Sequence, residues 1–279
     1  KDDATSWLTR FGCNCDLQSA TSKDMITTIN SPLTWQMTRN SIDKPIDNEE
    51  KIKWNLFEGN IATLYLTGLE RRANQINIYN VGQGNFIEIN FDENEPIAFD
   101  VGFTTFNNHD DIGYANAKDK LEKFYGDVIL SHLDIDHILG VCYLPDTIFK
   151  ERIWVLPETQ YISQSAKNLL AYLLVENKAN VCIIKNQHNK FIIKVGENIE
   201  LYRNKKTLYK NHAEQINREG LTILCKQDEE KYTLLPGDCL YSNLPDEVIS
   251  KTFNEMIIPH HCGVLKSEDI MVLNKMKFL

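Results

Sequence analysis

The sequence predicts an α/β protein: an αββα sandwich of two mixed β-sheets with helices on the outer faces, preceded by an N-terminal extension. Three observations carry that reading. Strand-like apolar runs fall into two blocks with helical stretches between and within them, as expected for two sheets packed face to face and covered by helices. At 279 residues and 42% hydrophobic content, the chain is long enough for one domain of about 200 residues with a full core and an extension. Four apolar runs end directly in acidic or imidazole side chains, the arrangement of a site built at strand ends. Periodicity alone does not choose this layout over other α/β arrangements; the motifs described below do.

Residues 1 to 72 are polar, carry Trp7, Trp35 and Trp54, and break at Ser31-Pro32 and Lys44-Pro45. They read as short helices and loops anchored by aromatics on a main domain spanning 73 to 279. The alternating Ile76-Asn77-Ile78-Tyr79 and Phe86-Ile87-Glu88-Ile89 flank Gly82 and Gly84 as two strands around a tight turn. Pro96 to Phe99 adds a third strand, Lys118 to Tyr125 a helix, and Val128-Ile129-Leu130 a short buried strand. Ile138 to Leu144 reads as a helix, and Ile153 to Leu156 as a strand closed by Pro157. Ser165 to Glu176 has helical periodicity with a leucine stripe that belongs to the core. The second block comprises Val181 to Ile184, Phe191 to Lys194, Ile199 to Tyr202, Leu221 to Cys225 and Tyr232 to Leu235, with turns at Gly196, Gly220 and Asp228-Glu229-Glu230. A last apolar run, Met256 to Ile258, precedes Pro259.

Composition narrows the function classes. A net charge of -9 and a pI near 5.3 supply no global basic field for gripping nucleic acid. Local basic patches are Arg71-Arg72 and the stretch Arg203 to Lys210, both expected to be solvated faces. No apolar run is long enough to span a membrane, and the N-terminus lacks a secretory pattern. Seven cysteines at positions 13, 15, 142, 182, 225, 239 and 262 form no C-x-x-C pair, so reduced thiols and a cytoplasmic setting are expected. Cys239 and Cys262 adjoin candidate ligands, but read first as small buried hydrophobes.

The densest chemistry lies in Ser131-His132-Leu133-Asp134-Ile135-Asp136-His137, directly after the Val128 to Leu130 strand. Two imidazoles and two carboxylates at a strand end let side chains converge on one or two ions, and both groups are ordinary ligands of Zn²⁺ and its neighbours. A polar loop with Asp136 capping the next helix would use only one of the four. Three further strand ends match this one: Asp100-Val101-Gly102 after Ile97-Ala98-Phe99, Pro236-Gly237-Asp238 after Tyr232 to Leu235, and Pro259-His260-His261-Cys262-Gly263 after Met256 to Ile258. A lone Gly-Asp is usually a turn, so the signal lies in the four together.

These motifs resemble the metallo-β-lactamase fold superfamily, and most nearly its branch containing the soluble domain of the ComEC competence (DNA-uptake) protein. Asn80-Val81-Gly82-Gln83-Gly84-Asn85 is similar to that branch's Asp-Val-Gly-Gln-Gly-Asp, and Ser-His-x-Asp-x-Asp-His, Gly-Asp and His-His-Gly are its other marks. The resemblance runs from about Ile76 to Gly263 and leaves out the first seventy residues. This sequence departs from the pattern at Asn80, Asn85 and Cys262, and Asp134 stands where the wider superfamily has a histidine. The third motif has no assigned residue: His188 and His212 both read as surface histidines, as does His109.

The resemblance implies two divalent ions, Zn or Mn, with His132 and Asp134 on one, Asp136 and His137 on the other, Asp238 between them, and His261 completing the second. His260 would then contact phosphate or protonate the leaving group; the opposite assignment of the two adjacent imidazoles is nearly as good. Asp136 and His260 are the candidate catalytic residues, and Asp100 is expected to orient ligands rather than bind. Two ions about 3.5 to 4 Å apart activate a bridging hydroxide and clamp an in-line displacement, so phosphodiesters suit such a site. The extra charge of Asp134 shifts preference from Zn²⁺ toward Mn²⁺. The expected function is a metal-dependent phosphodiesterase or nuclease whose partner is a phosphodiester, single-stranded nucleic acid included. Two alternatives are a hydrolase of a small phosphodiester or cyclic nucleotide, and a catalytically weak interaction module of a larger assembly. In the resembled fold a strand and helix follow the position of Leu279, so a truncated C-terminus and further domains are expected.

Overall fold

The structure is a computed structural model that describes residues 55–56, 61–63, 71–82, 84–103, 112–159, 163–177, 179–184, 192–205, 212–227, 231–259 and 267–278. In chain order the strands are β1 (Asn55–Leu56), β2 (Ile61–Thr63), β3 (Ala73–Ile78), β4 (Phe86–Phe91), β5 (Ile97–Val101), β6 (Asp127–Ile129) and β7 (Ile153–Pro157). They continue with β8 (Asn180–Ile184), β9 (Ile192–Gly196), β10 (Ile199–Arg203), β11 (Leu221–Lys226), β12 (Lys231–Leu235), β13 (Thr252–Met256) and β14 (Lys277–Phe278). They form two seven-stranded mixed sheets, one in the order β1-β8-β7-β6-β5-β4-β3 and the other β14-β13-β12-β11-β10-β9-β2. β1 and β2, from the segment expected to be an extension, pair in parallel with β8 and β9 at the sheet edges.

The layering follows from side-chain alternation. In β5 to β8 every other residue (Ile97, Phe99, Ile129, Val155, Cys182) joins one apolar cluster, and this cluster also takes Ile199, Leu201, Leu221, Ile223 and Leu235 from the second sheet. That cluster is the layer between the sheets. The alternate residues Ala98, Val128, Trp154 and Leu156 share the outer apolar cluster with Ala117 and Leu121 of the helix α1 (Ile112–Lys123). In the second sheet Tyr202, Leu224 and Leu234 cover the opposite outer face, with Val248 from a short helix, Asp246–Ile249. Central strands are therefore apolar on both faces, which is why Val128 to Leu130 shows a continuous apolar run and no alternation.

Several elements differ in extent from the sequence reading. The helix expected over 118 to 125 begins earlier, at Ile112. The one expected over 165 to 176 is α-helical only over Gln164–Ala171, where Ser163 caps it by accepting from the Ala166 N–H. It then widens into a π-turn at Tyr172–Glu176, because the Asn177 backbone N–H and Nδ2 both donate to the Tyr172 carbonyl. Two basic residues expected on solvated faces are buried. Arg71 lies 3.7 Å from the Asp127 carboxylate with its guanidinium 4.4 Å above the Phe91 ring, and Arg203 ends β10 inside the sandwich. Proximity of charges along the chain does not reveal which strand face each occupies.

Candidate metal centre

Asp100 near the end of β5, Ser131 and His132 just beyond β6, and Asp238 just beyond β12 lie together where the two sheets meet. The sheets are tied there by the Leu221 N–H donating to the Ser131 carbonyl at 2.7 Å. The short helix α2 (Ile135–Ile138) follows and carries His137. Its N-cap position falls on Asp134, not Asp136, because the helix starts earlier than Ile138, and the Asp134 side chain makes no capping hydrogen bond. Capping therefore does not account for either carboxylate.

Two glycines permit this approach. A Cβ on Gly102 would sit 2.0 Å from the Asp136 carbonyl oxygen, so the start of α2 rests directly on the backbone at that position. Gly237 has φ +59°, and a Cβ there would come within 2.6 Å of the Ser131 Cβ. Only glycine supplies both the left-handed conformation and the clearance before Asp238.

Ligand atoms of His132, His137 and Asp238, all buried, lie within 4.8 Å of one another. His137 Nε2 is 3.2 Å and His132 Nε2 3.9 Å from the Asp238 carboxylate, and the two rings are 4.0 Å apart at their centroids. Asp134 approaches this group from the more open side, with Oδ2 3.9 Å from His132 Nε2. The far edge of each imidazole is fixed by other groups. Asp100 accepts from His137 Nδ1 at 2.8 Å, from the Ser131 hydroxyl at 2.8 Å, from the Ser131 N–H at 2.6 Å and from Asn85 Nδ2 at 2.9 Å. With its single hydrogen committed to Asp100, the Ser131 hydroxyl accepts from His132 Nδ1 at 2.9 Å. This network assigns the N–H of both rings to Nδ1 and presents both Nε2 atoms toward Asp238, the outer-shell arrangement that orients metal-ligating histidines. Asp100 itself has φ 62°, a conformation costing an L-residue roughly 1 to 2 kcal/mol; its four accepted hydrogen bonds hold it there.

The electrostatics of the two rings differ in the metal-free chain. Burial pushes the His132 imidazole below its ordinary pKa, and the neighbouring His137 adds to that, so His132 is neutral at neutral pH. Burial works in the same direction on His137, but Asp100 and Asp238 outweigh it and hold the ring well above its usual value. The Asp134 carboxyl is raised by burial, with His132 opposing and Asp136 reinforcing.

The donors present fit a divalent cation. Two imidazole Nε2 atoms and a carboxylate are an ordinary ligand set for Zn²⁺ and similar ions, and His132 Nε2 is buried with no hydrogen-bond partner, a costly state that a ligand would relieve. The structure thus brings His132, His137 and Asp238 together with Asp134 at their edge. Asp136 is not one of the three clustered ligands. His260 and His261 lie outside the described residues, as do His188, His109 and Cys262, while His212 opens a helix, His212–Arg218. Cys239, next to Asp238, is buried in the outer apolar layer of the second sheet, and burial pushes its thiol up. Ser131 and Asn85 fall inside the sequence motifs, but the sequence assigns neither a role. Their only signal was position, directly before His132 and in the Asn80 to Asn85 turn.

No protein-family model matches the chain, and no curated protein matches it. Among solved structures, the crystal structure of a diphosphatase from the PhnP family aligns over 70% of each chain at 11% identity, with a TM-score of 0.35. A likeness of that size carries no argument about this chain.

Proposed function

We propose that this protein is a metal-dependent hydrolase of phosphodiesters with the metallo-β-lactamase fold. The observation that carries the reading is the convergence of His132, His137 and Asp238 within 4.8 Å, with both imidazoles tied at Nδ1. A divalent ion bound there supplies Lewis-acid charge and lowers the pKa of coordinated water toward neutrality. The chain's own residues do the rest. Asp100 and Ser131 hold the two rings in the donor tautomer, Asp238 spans the Nε2 atoms, and Asp134 at the open side is the carboxylate available to a second ion. Asp136 and His260 remain the catalytic candidates, and His261 a further ligand. These roles, the count of two ions, and the choice between Zn²⁺ and Mn²⁺ rest on the motif likeness.

That likeness to the ComEC-like branch favours a nuclease. A second reading, a small phosphodiester or cyclic nucleotide, is favoured by the burial of Arg71 and Arg203, which removes two basic residues from the surface of an acidic chain. The test is chelator-sensitive hydrolysis of bis-p-nitrophenyl phosphate alongside single-stranded DNA and RNA. The proposal expects turnover of the small ester that disappears with chelator and returns with Mn²⁺ or Zn²⁺, and cleavage of nucleic acid decides between the two readings. Metal bound without turnover on any phosphodiester would support an interaction module instead. Asp136→Ala and Asp238→Ala are each expected to abolish turnover with the fold intact by circular dichroism.

A further inference from the structure

Three arginines with buried, unbonded nitrogens occur among the described residues, and they are not alike. Arg71 has the Asp127 carboxylate at 3.7 Å and Arg152 has that of Glu95 at 3.4 Å. Both sit toward the end of the first sheet where β6 begins, away from Asp238. Among the described residues Arg203 has no carboxylate within ion-pair distance and one hydrogen bond, from Nη2 to the Glu158 carbonyl across the sandwich. Of its five N–H hydrogens, the one on Nε and the two on Nη1 have no acceptor. The residue is 7% exposed, and Glu219 and Glu158 raise its pKa without offsetting burial, which lowers it to about 10. A buried cation with N–H groups that find no acceptor is costly to hold, and an anion reaching those groups would offset the cost.

Its backbone lies close to the metal centre. Arg203 follows Ile199 and Leu201 in the layer between the sheets and pairs with Leu221 across the ladder. Leu221 donates to the Ser131 carbonyl, and a Cβ on the preceding Gly220 would lie 3.6 Å from the His132 Cβ. The guanidinium stem therefore begins one strand away from the backbone that abuts the metal-centre histidine. From these observations we infer that Arg203 binds a tetrahedral oxyanion, holding a phosphoryl oxygen of the substrate beside the His132, His137 and Asp238 cluster. The identity of the oxyanion as substrate rests on the function proposed above; binding of an oxyanion by Arg203 does not.

The experiment separates the two. Chelator-treated wild type, Arg203→Met and Arg203→Lys are melted over a titration of inorganic phosphate, with acetate at matched ionic strength as the carboxylate arm. Phosphate is expected to raise the wild-type melting temperature by linkage, with acetate doing so less. Arg203→Met is expected to melt no lower than wild type without phosphate and to lose the response, and Arg203→Lys to need about tenfold more phosphate for the same shift. Absence of any phosphate response in wild type, or an equal response in all three proteins, overturns the inference. If Arg203→Met does not fold, the Lys variant decides by the same shift. Loss of metal binding or turnover in wild type would defeat the hydrolase reading and leave this result untouched.

Discussion

Asp100 accepts four hydrogen bonds, from Asn85, from His137, and from both the hydroxyl and the backbone N–H of Ser131, so one carboxylate sets the orientation of the ligand pair. Ser131→Ala removes the acceptor that fixes the His132 tautomer and leaves a buried Nδ1–H unpaired. It is expected to weaken Zn²⁺ or Mn²⁺ binding by about 10- to 100-fold, as loss of such outer-shell partners does, with little change in circular dichroism; competition against a chromophoric chelator measures it. The raised pKa of His137 has a definite sign. Because the folded value lies above the unfolded one, the charged ring stabilises the metal-free chain fully below about pH 6.5, and this contribution is lost as pH rises through the folded value. The same proton must leave Nε2 for an ion to bind, so metal affinity is expected to rise with pH over that range. Calorimetry in buffers of differing ionisation enthalpy would detect the released proton near neutral pH, and a pH-independent affinity with no proton release would contradict the assignment.

At the scale of elements, the site depends on three chain segments meeting with almost no clearance: the end of β5, the β6 to α2 loop and the turn after β12. Gly102→Ala would place a methyl group 2.0 Å from the Asp136 carbonyl oxygen, so α2 or β5 must shift. A loss of about 2 kcal/mol or more in denaturant stability is expected, with weakened metal binding, because α2 carries His137. The ligand-bearing loop was legible in the sequence since its residues are local: a strand-like run followed by His132, Asp134, Asp136 and His137 announces itself in one window. What the window could not show is which of them converge. The helix begins at Ile135, and that start directs His137 toward Asp238 while leaving Asp136 outside the three-ligand cluster. Ser131 and Asn85 were illegible because a hydroxyl and an amide acquire their role only through contacts with Asp100, far away in sequence.

Over the whole molecule, the two-sheet plan was readable from two strand-rich blocks with helical stretches between them, aided by the motif resemblance, and the three apolar layers fit two mixed sheets with helices outside. The edge strands β1 and β2 were not, because two- and three-residue strands carry no period. Arg71 and Arg203 depart from the expected solvated faces for a related reason, while Arg72 is exposed as expected: a side chain's layer is a property of the folded sandwich. Trp154, fully buried and stacked 5.5 Å from Phe149, packs near the start of β7, away from the strand ends that carry the site. Trp154→Ala is expected to cost about 3 to 5 kcal/mol by urea unfolding, with metal binding retained wherever the variant remains folded. The central claim is that His132, His137 and Asp238 hold one divalent ion between the sheet ends. Its most direct test is elemental analysis with metal titration of the purified chain beside His132→Ala, His137→Ala and Asp238→Ala. The account predicts at least one equivalent of transition metal in the wild type and its loss in each folded variant; wild-type metal content in any of the three would contradict it.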